Sequence, residues 1–522
     1  MIIFQGKKYF ISPNVHFKKS VMDSPNYEYY LFVNYKTIRI KDAAGILFEY
    51  LIGTEIIEFD NIVSRESKVL NQSYQSINSV LLKYFNLFSD YGWLMEVDNT
   101  EIIWDIAKHT YFTQNDGKYY AMNLLYKTVD LISEDIYYIL KNKNLTDVNS
   151  QMLFQLYTRK YLENTSLETD YTSFLKPPNF KVVSLIFSYD CNLACVYCFE
   201  KDNNIKNIMR NDTFEKTIKY IDNLAKENNV LLVFYGGEPL LESNKEYIYR
   251  VLQDFKDNSR ILFRFITNGI YIREYIKIFD IAKSKIVEFT ITIDGPEEVH
   301  NSKRISKDGQ SSFNKIIDSV CLLNEIGYRV SIRINLSKDN IEHQLELIEY
   351  LNIIIKNKSL MRIEYHRVED KKNLDYQPLS YLDCYQLYCM VKNKSKIKVE
   401  FCLPIINLLN NISENENEYP IIEKIYCGIN LNRVIDVDGK VYSCNEAMGI
   451  EAFYIDNVEH SFQEKHADYL DYKKCKSCNF YLACYGNCAL VNYFRHSANS
   501  EKECDYKQIE NVLKCYLNDR RK

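Results

Sequence analysis

Cysteine is missing from residues 1–190, and all fifteen cysteines of the chain fall between Cys191 and Cys515. Disulfides are rare in the cytosol, so in a chain read as cytosolic this crowding shifts the expectation from covalent staples to metal ligands. A basic excess is missing too. Lys and Arg total 65 against 70 Asp and Glu, a net charge of −5, which gives no general attraction to nucleic acid or to an anionic membrane. Any partner has to be argued from a local feature. No apolar run approaches the length that spans a bilayer, and residues 1–8 lack the charged-then-apolar order of a signal peptide. The expectation is a cytoplasmic protein with no membrane partner and no nucleic acid.

What is present is ample apolar material, 46% of 522 residues, enough for a sizeable core and, by length, about three domains. The 44 Tyr, with abundant Lys, Asn and Ile, read as the coding bias of an AT-rich genome. Residues 1–105 read as two strands, 2–11 and 29–40, then helices beginning near Asp42, Phe59 and Gln72, then a strand around 93–97. The spacing of Ala44, Leu47, Phe48 and Leu51 is helical, and Leu81, Leu82, Phe85 and Phe88 continue that period. Strands, three helices and a wing make a winged helix, and the order resembles the PqqD-like element that binds leader peptides in peptide-modifying systems. The alternatives are a DNA-binding winged helix or packing alone. A dense basic face is absent from these helices, which ranks DNA last. Residues 106–179 read as a bridging region in which Tyr119, Tyr120, Tyr126, Lys127 and Thr128 loosely echo Tyr29, Tyr30, Tyr35, Lys36 and Thr37. Lys176, Pro177 and Pro178 then break the chain.

Across residues 180–370 short apolar runs (182–187, 230–234, 261–266, 287–293, 330–335 and 361–366) alternate with amphipathic helical stretches, the pattern of a parallel α/β sheet. A complete barrel needs eight strands and roughly 250 residues, so these six units predict a partial (β/α)6 TIM-type barrel, open on one side and roomy enough for a peptide. Directly after the first run stand Cys191, Cys195 and Cys198, a C-x3-C-x2-C loop. Three thiolates can hold three irons of a 4Fe-4S cluster and leave the fourth open to an outside ligand. The loop also lies where such folds gather their active sites, at the C-terminal ends of strands. A zinc knuckle would need a fourth nearby ligand, and no Cys, His or Asp sits at a suitable offset just after Cys198.

This loop resembles the signature of the radical S-adenosylmethionine (radical SAM) superfamily. Further matches follow in that family's order: Gly236, Gly237, Glu238 and Pro239 after the second run, Thr267, Asn268 and Gly269 after the third, and Thr292, Ile293, Asp294 and Gly295 after the fourth. The resemblance implies that Cys191, Cys195 and Cys198 hold the catalytic cluster, whose open iron chelates the amino and carboxylate groups of S-adenosylmethionine. It places Tyr197 by the adenine, the Gly236 to Glu238 segment at the methionyl amine, and Asn268 and Thr292 in the same pocket; relatives usually have Ser where Thr292 stands. Arg304, Arg333 and Asn335 are candidates for its carboxylate or ribose, with an ordinary core or surface role as the alternative.

Cys427, Gly439 and Cys444, then Cys475, Cys478, Cys484 and Cys488, then Cys504 form a second signature. It resembles the seven-cysteine SPASM domain, placed at residues 427–522 beyond a linker or helical bridge at 371–426. A zinc ribbon on Cys475 and Cys478 would leave the other five unexplained. The resemblance implies two auxiliary clusters, three 4Fe-4S clusters in all. One is held by Cys475, Cys478, Cys484 and Cys504, the other by Cys427, Cys444 and Cys488 with Cys402 as candidate fourth ligand. Cys321, Cys384, Cys389 and Cys515 read as small buried hydrophobes.

Together these resemblances imply an enzyme that reductively cleaves S-adenosylmethionine to a 5′-deoxyadenosyl radical and abstracts hydrogen from a ribosomally made precursor peptide, fed by a donor such as flavodoxin or ferredoxin. Thioether formation, as in sactipeptide and ranthipeptide maturases, is the first expectation. A carbon-carbon cross-link or sulfatase-maturase-like oxidation is the alternative. Sulfatase maturases typically carry Asp after the second SPASM cysteine, where this chain has Asn445, and they lack the N-terminal element. A non-catalytic iron-sulfur scaffold is the reading from another class, and it gives no reason to keep a cosubstrate site.

Overall fold

The computed structural model describes residues 2–11, 15–19, 29–33, 36–52, 57–91, 93–97, 103–165, 180–200, 208–369, 377–414, 432–460, 475, 478–486, 488–497 and 504–519. Its centre is a parallel sheet. The strands Phe180–Ile186, Asn229–Tyr235, Ile261–Thr267, Ile286–Thr292, Val330–Leu336 and Met361–Arg367 pair in chain order, each parallel to the next. The intervening helices are Asn211–Glu227, Lys245–Phe255, Ile272–Phe279, Phe313–Glu325 and Gln344–Ile354. Alternation along each strand decides its faces. Leu232, Phe234, Phe263, Phe265, Phe289, Ile291, Ile332, Ile334 and Ile363 are fully buried in one core with helix residues such as Leu224, Leu252, Phe279, Leu323 and Leu351. Register sets Phe265 beside both Phe234 and Phe289, so the rings stack at 4.4 and 5.1 Å. Each such pair adds about 1 kcal/mol beyond its buried area.

Residues of the other parity carry charge. Arg264 pairs with Glu288 at 2.9 Å, and the Arg362 guanidinium bridges Glu288, Glu364 and Glu400. Glu400 belongs to a strand that the periodicity of the sequence hid. Lys398–Phe401, within the stretch read as a linker or helical bridge, pairs parallel to Met361–Arg367 and adds a seventh strand. Its four residues alternate charge with apolar side chains, too briefly for a period to register, and the cross-strand ion pairs give its polar positions partners. At the opposite edge Asn432–Ile435 pairs parallel to Phe180–Ile186, and Lys440–Tyr442 and Tyr454–Asn457 continue the sheet antiparallel.

The N-terminal part builds its own core around Leu47, Phe48, Phe59, Ile62, Leu81, Phe85 and Phe88. Helices Asp42–Ile52, Phe59–Val69 and Tyr74–Asp90 pack there with the hairpin Ile2–Phe4 and Lys7–Ile11, to which Leu94–Val97 adds. Three further strands, His16–Lys19, Tyr29–Val33 and Lys36–Ile40, form an antiparallel meander. The tyrosine echo in the sequence has a structural counterpart: Thr110–Asn115, Lys118–Asn123 and Thr128–Ile132 form a second meander, also followed by a helix, Glu134–Lys141. That meander leans on the last helix, Tyr506–Asp519, where Tyr111 Oη donates to Glu510 at 2.9 Å and Asn115 Nδ2 donates to the Lys514 carbonyl at 3.0 Å. Among the described residues no helix is long and apolar enough to cross a membrane.

Candidate functional site

The loop carrying Cys191, Cys195 and Cys198 leaves the first barrel strand at its C-terminal end and is held from two sides. Leu193–Cys195 pairs antiparallel with Arg304–Ser306, setting Cys195 opposite Arg304, and Val196 N–H donates to the Lys303 carbonyl. On the other side Glu238 N–H donates to the Asp190 carbonyl at 2.8 Å. Here glycine is a requirement. Gly237 has φ +48°, and a Cβ on it would lie 2.2 Å from the Asp190 carbonyl oxygen, a backbone atom with nowhere to move.

The three thiols are partly buried and close enough to act on one another. Burial pushes Cys191 up to about 12, and raises Cys195 and Cys198 as well. The Arg304 guanidinium opposes this at all three. Among the described residues no three Cys, His, Asp or Glu side chains converge on a single metal ion. A cubane instead takes one thiolate at each of three corners. An all-thiol donor set beside a buried cation fits such an anionic cluster. Binding it would release the protons that burial holds on the sulfurs.

Around the loop the cosubstrate residues named from the sequence fall into two networks. In the first, Tyr197 Oη donates to Asp294 Oδ2, and accepts from Arg304 Nη1 at 2.7 Å and Asn335 Nδ2 at 3.0 Å. Asp294 is fully buried and its Oδ1 accepts from Asn335 N–H at 2.9 Å. Arg333 Nε donates to Asn335 Oδ1 at 3.2 Å. Tyr197, Arg304 and Asn335 are therefore brought together by a carboxylate that the sequence reading left out of the pocket. In the second, Glu238 accepts from Thr267 Oγ1 at 2.5 Å, Leu240 N–H at 2.9 Å and Asn268 N–H at 2.7 Å. Asn268 Nδ2 reaches Asn192 Oδ1 at 2.7 Å. Thr292 is buried at the end of its strand.

Glu200, two residues beyond Cys198, also escaped the sequence reading. Its Oε2 accepts from Gly237 N–H at 2.8 Å, while Oε1 is buried without a hydrogen-bond partner among the described residues. Burial raises this carboxyl to about 7. Only its proximity to the third cysteine could have drawn attention to it.

The C-terminal cysteines fall into two groups. The thiols of Cys475, Cys478, Cys484 and Cys504 act on one another, and burial raises Cys475 and pushes Cys484 up to about 12. Beside them His109 Nδ1 contacts the Asn479 carbonyl at 3.3 Å, and Tyr111 meets Phe480 edge-on at 4.9 Å. Cys444 and Cys488 pack elsewhere, around Ala447, Phe453, Ala489 and Leu490; Cys427 lies outside the described residues. Cys402 stands at the C-terminal end of the seventh strand, its Sγ 3.1 Å from His366 Nε2, with burial pushing the thiol up to about 12.

Residues 185–351 match the family model of the Radical SAM superfamily. A cysteine-type anaerobic sulfatase-maturating enzyme of Clostridium perfringens is 24% identical over 340 residues, 58% of this chain and 86% of the relative. The serine-type enzyme of Bacteroides thetaiotaomicron is 24% identical over 383 residues, 65% of this chain and 88% of the relative. Among solved structures, Streptococcus suis SuiB bound to S-adenosylmethionine covers 93% of this chain and 96% of its own, with TM-score 0.46 and 14% identity.

Proposed function

We propose that the chain, whose residues 185–351 match the Radical SAM superfamily model, is a maturase of that kind that oxidises a ribosomally made peptide, forming thioether cross-links from Cys to carbon. The observation that carries the reading is the coexistence of a triad loop at the strand ends with two further groups of thiols in the C-terminal part. When bound, a 4Fe-4S cluster at Cys191, Cys195 and Cys198 supplies the electron that cleaves S-adenosylmethionine. The chain's own residues do the rest. Arg304 brings positive charge to the thiolates, the Asp294 network fixes Tyr197, and Glu238 ties the ends of the second and third strands together.

Cys475, Cys478, Cys484 and Cys504 would hold one auxiliary cluster, and Cys427, Cys444 and Cys488 the other, with Cys402 as its candidate fourth ligand. The N-terminal part would grip the leader peptide by strand addition. Lys36–Ile40 is an edge of its meander among the described residues, whereas Tyr29–Val33 is paired on both sides. Flavodoxin or ferredoxin would deliver electrons, and the enzyme would work in the cytoplasm. A second reading, oxidation of a sulfatase-type protein, is favoured by the named sulfatase-maturating relatives.

The test is to incubate reconstituted protein with S-adenosylmethionine, reductant and one of two substrates, a Cys-containing precursor peptide encoded beside it or a sulfatase-derived peptide. Loss of two hydrogens from the precursor, with its thiol no longer alkylatable, is expected. Modification of the sulfatase peptide alone would select the second reading.

A further inference from the structure

The cysteine loop has an outside as well as an inside. Leu193–Cys195 and Arg304–Ser306 form an antiparallel ribbon, prolonged at its ends by Val196 N–H donating to the Lys303 carbonyl and Lys307 N–H to the Asn192 carbonyl. Opposite side chains share a face, and the faces alternate along each strand. One face carries Cys195 with Arg304, whose guanidinium reaches Tyr197. The other carries Ala194 with Ile305, and Val196 and Lys307 follow on that side.

This second face is open to solvent. Ala194 is exposed, Val196 is 50% exposed and Ile305 48%. Leaving such a pair in water forgoes the stabilisation of burial, and a partner that covers it gains that amount. Lys307 beside the pair and Lys338 near the Lys303 end are exposed and enter no ion pair among the described residues. The acids beside them are engaged: Asp339 pairs with Lys303 at 3.0 Å, and Asp308 accepts from Ser306 Oγ and Gln310 N–H within its own turn. An apolar centre with a basic rim is complementary to an acidic protein surface. Three apolar side chains cover little area, the class of weak redox encounters rather than of permanent complexes. What a partner gains here is nearness, since the patch and the Cys195 thiol are neighbours on opposite faces of one ribbon.

Resting on the proposed 4Fe-4S cluster at Cys191, Cys195 and Cys198, we propose that the outer face of this ribbon docks a small acidic one-electron carrier protein of the flavodoxin or ferredoxin type. One electron leaves the reduced carrier and enters the cluster; no bond forms or breaks at the contact.

The experiment compares reconstituted full-length protein with the double variant Ile305→Glu, Lys307→Glu. It measures iron content, binding of oxidised flavodoxin and of oxidised ferredoxin by calorimetry, and 5′-deoxyadenosine formed with the reduced carrier or with dithionite. Binding to the unaltered protein should weaken as salt rises. The variant should keep its iron and its dithionite-driven product, bind the carrier roughly tenfold or more weakly, and lose carrier-driven product by a similar factor at low carrier concentration. Should the variant lose iron, Lys307→Glu with Lys338→Glu is read instead, with the same direction expected. Carrier binding that no variant weakens, or an unaltered protein that binds neither carrier, overturns the inference alone. So does a variant that loses peptide binding or self-association while its carrier binding is unchanged, because the face then belongs to the peptide or to a second copy. Absence of dithionite-driven 5′-deoxyadenosine from iron-replete unaltered protein overturns the proposed function instead, whatever the carrier binding shows.

Discussion

Gly237 makes the residue-scale dependence concrete. A methyl group there meets the Asp190 carbonyl at 2.2 Å in a left-handed backbone conformation, so Gly237→Ala has to displace the cysteine loop. The expected result is a loss on the order of 2 kcal/mol or more of stability, seen as a lower melting temperature, and less iron held at Cys191, Cys195 and Cys198 after reconstitution. Unchanged melting and iron would mean that the turn and the loop are not locked together as described. The glycine pair was legible in the sequence as a motif, and so were the cysteines, because spacing along the chain encodes both. The hydrogen bonds of Asp294 and Glu200 were not. They run to partners distant in sequence: Tyr197 is ninety-seven positions from Asp294, and Gly237 thirty-seven from Glu200. No local period marks such a pairing.

At the scale of elements, the six alternating apolar runs foretold the parallel strands because burial of one face imposes a repeat that survives in the sequence. Lys398–Phe401 escaped because its place depends on ion pairs with Arg362 rather than on a run of its own. The meander Thr110–Asn115 to Thr128–Ile132 makes a measurable contribution through His109, whose ring is buried against the Asn479 carbonyl and lowered by that burial to about 4. In the unfolded chain the imidazole titrates near 6.5, so between these values the unfolded state binds more protons and stability rises with pH. Acidification from about 6.5 through 4 therefore removes stability, up to about 3 kcal/mol from this group. His109→Gln should flatten the fall in melting temperature over that window. Parallel slopes for the two proteins would show that the ring is solvated in the folded state.

For the whole molecule, the chain joins one barrel, an N-terminal unit with its own core and a C-terminal cysteine-rich extension continuous with the sheet edge. Anaerobically reconstituted protein should hold about twelve irons, four for each 4Fe-4S cluster. Replacing Cys191, Cys195 and Cys198 together by Ala should remove about four of them and leave the rest, since neither of the other groups shares a thiol with the triad: Cys478 and Cys484 pack against the main core, and Cys444 and Cys488 around Ala447 and Phe453. Loss of all iron from that variant would tie the clusters into one unit and contradict the separation.

The central claim is that the triad loop supports reductive cleavage of S-adenosylmethionine. Its most direct test is chromatographic measurement of 5′-deoxyadenosine and methionine after incubating the reconstituted protein with S-adenosylmethionine and a strong reductant, beside the Cys191, Cys195, Cys198 triple Ala variant. The account predicts both products in equal amounts from the unaltered protein and neither from the variant. Absence of 5′-deoxyadenosine from iron-replete unaltered protein, or its formation by the variant, would contradict it.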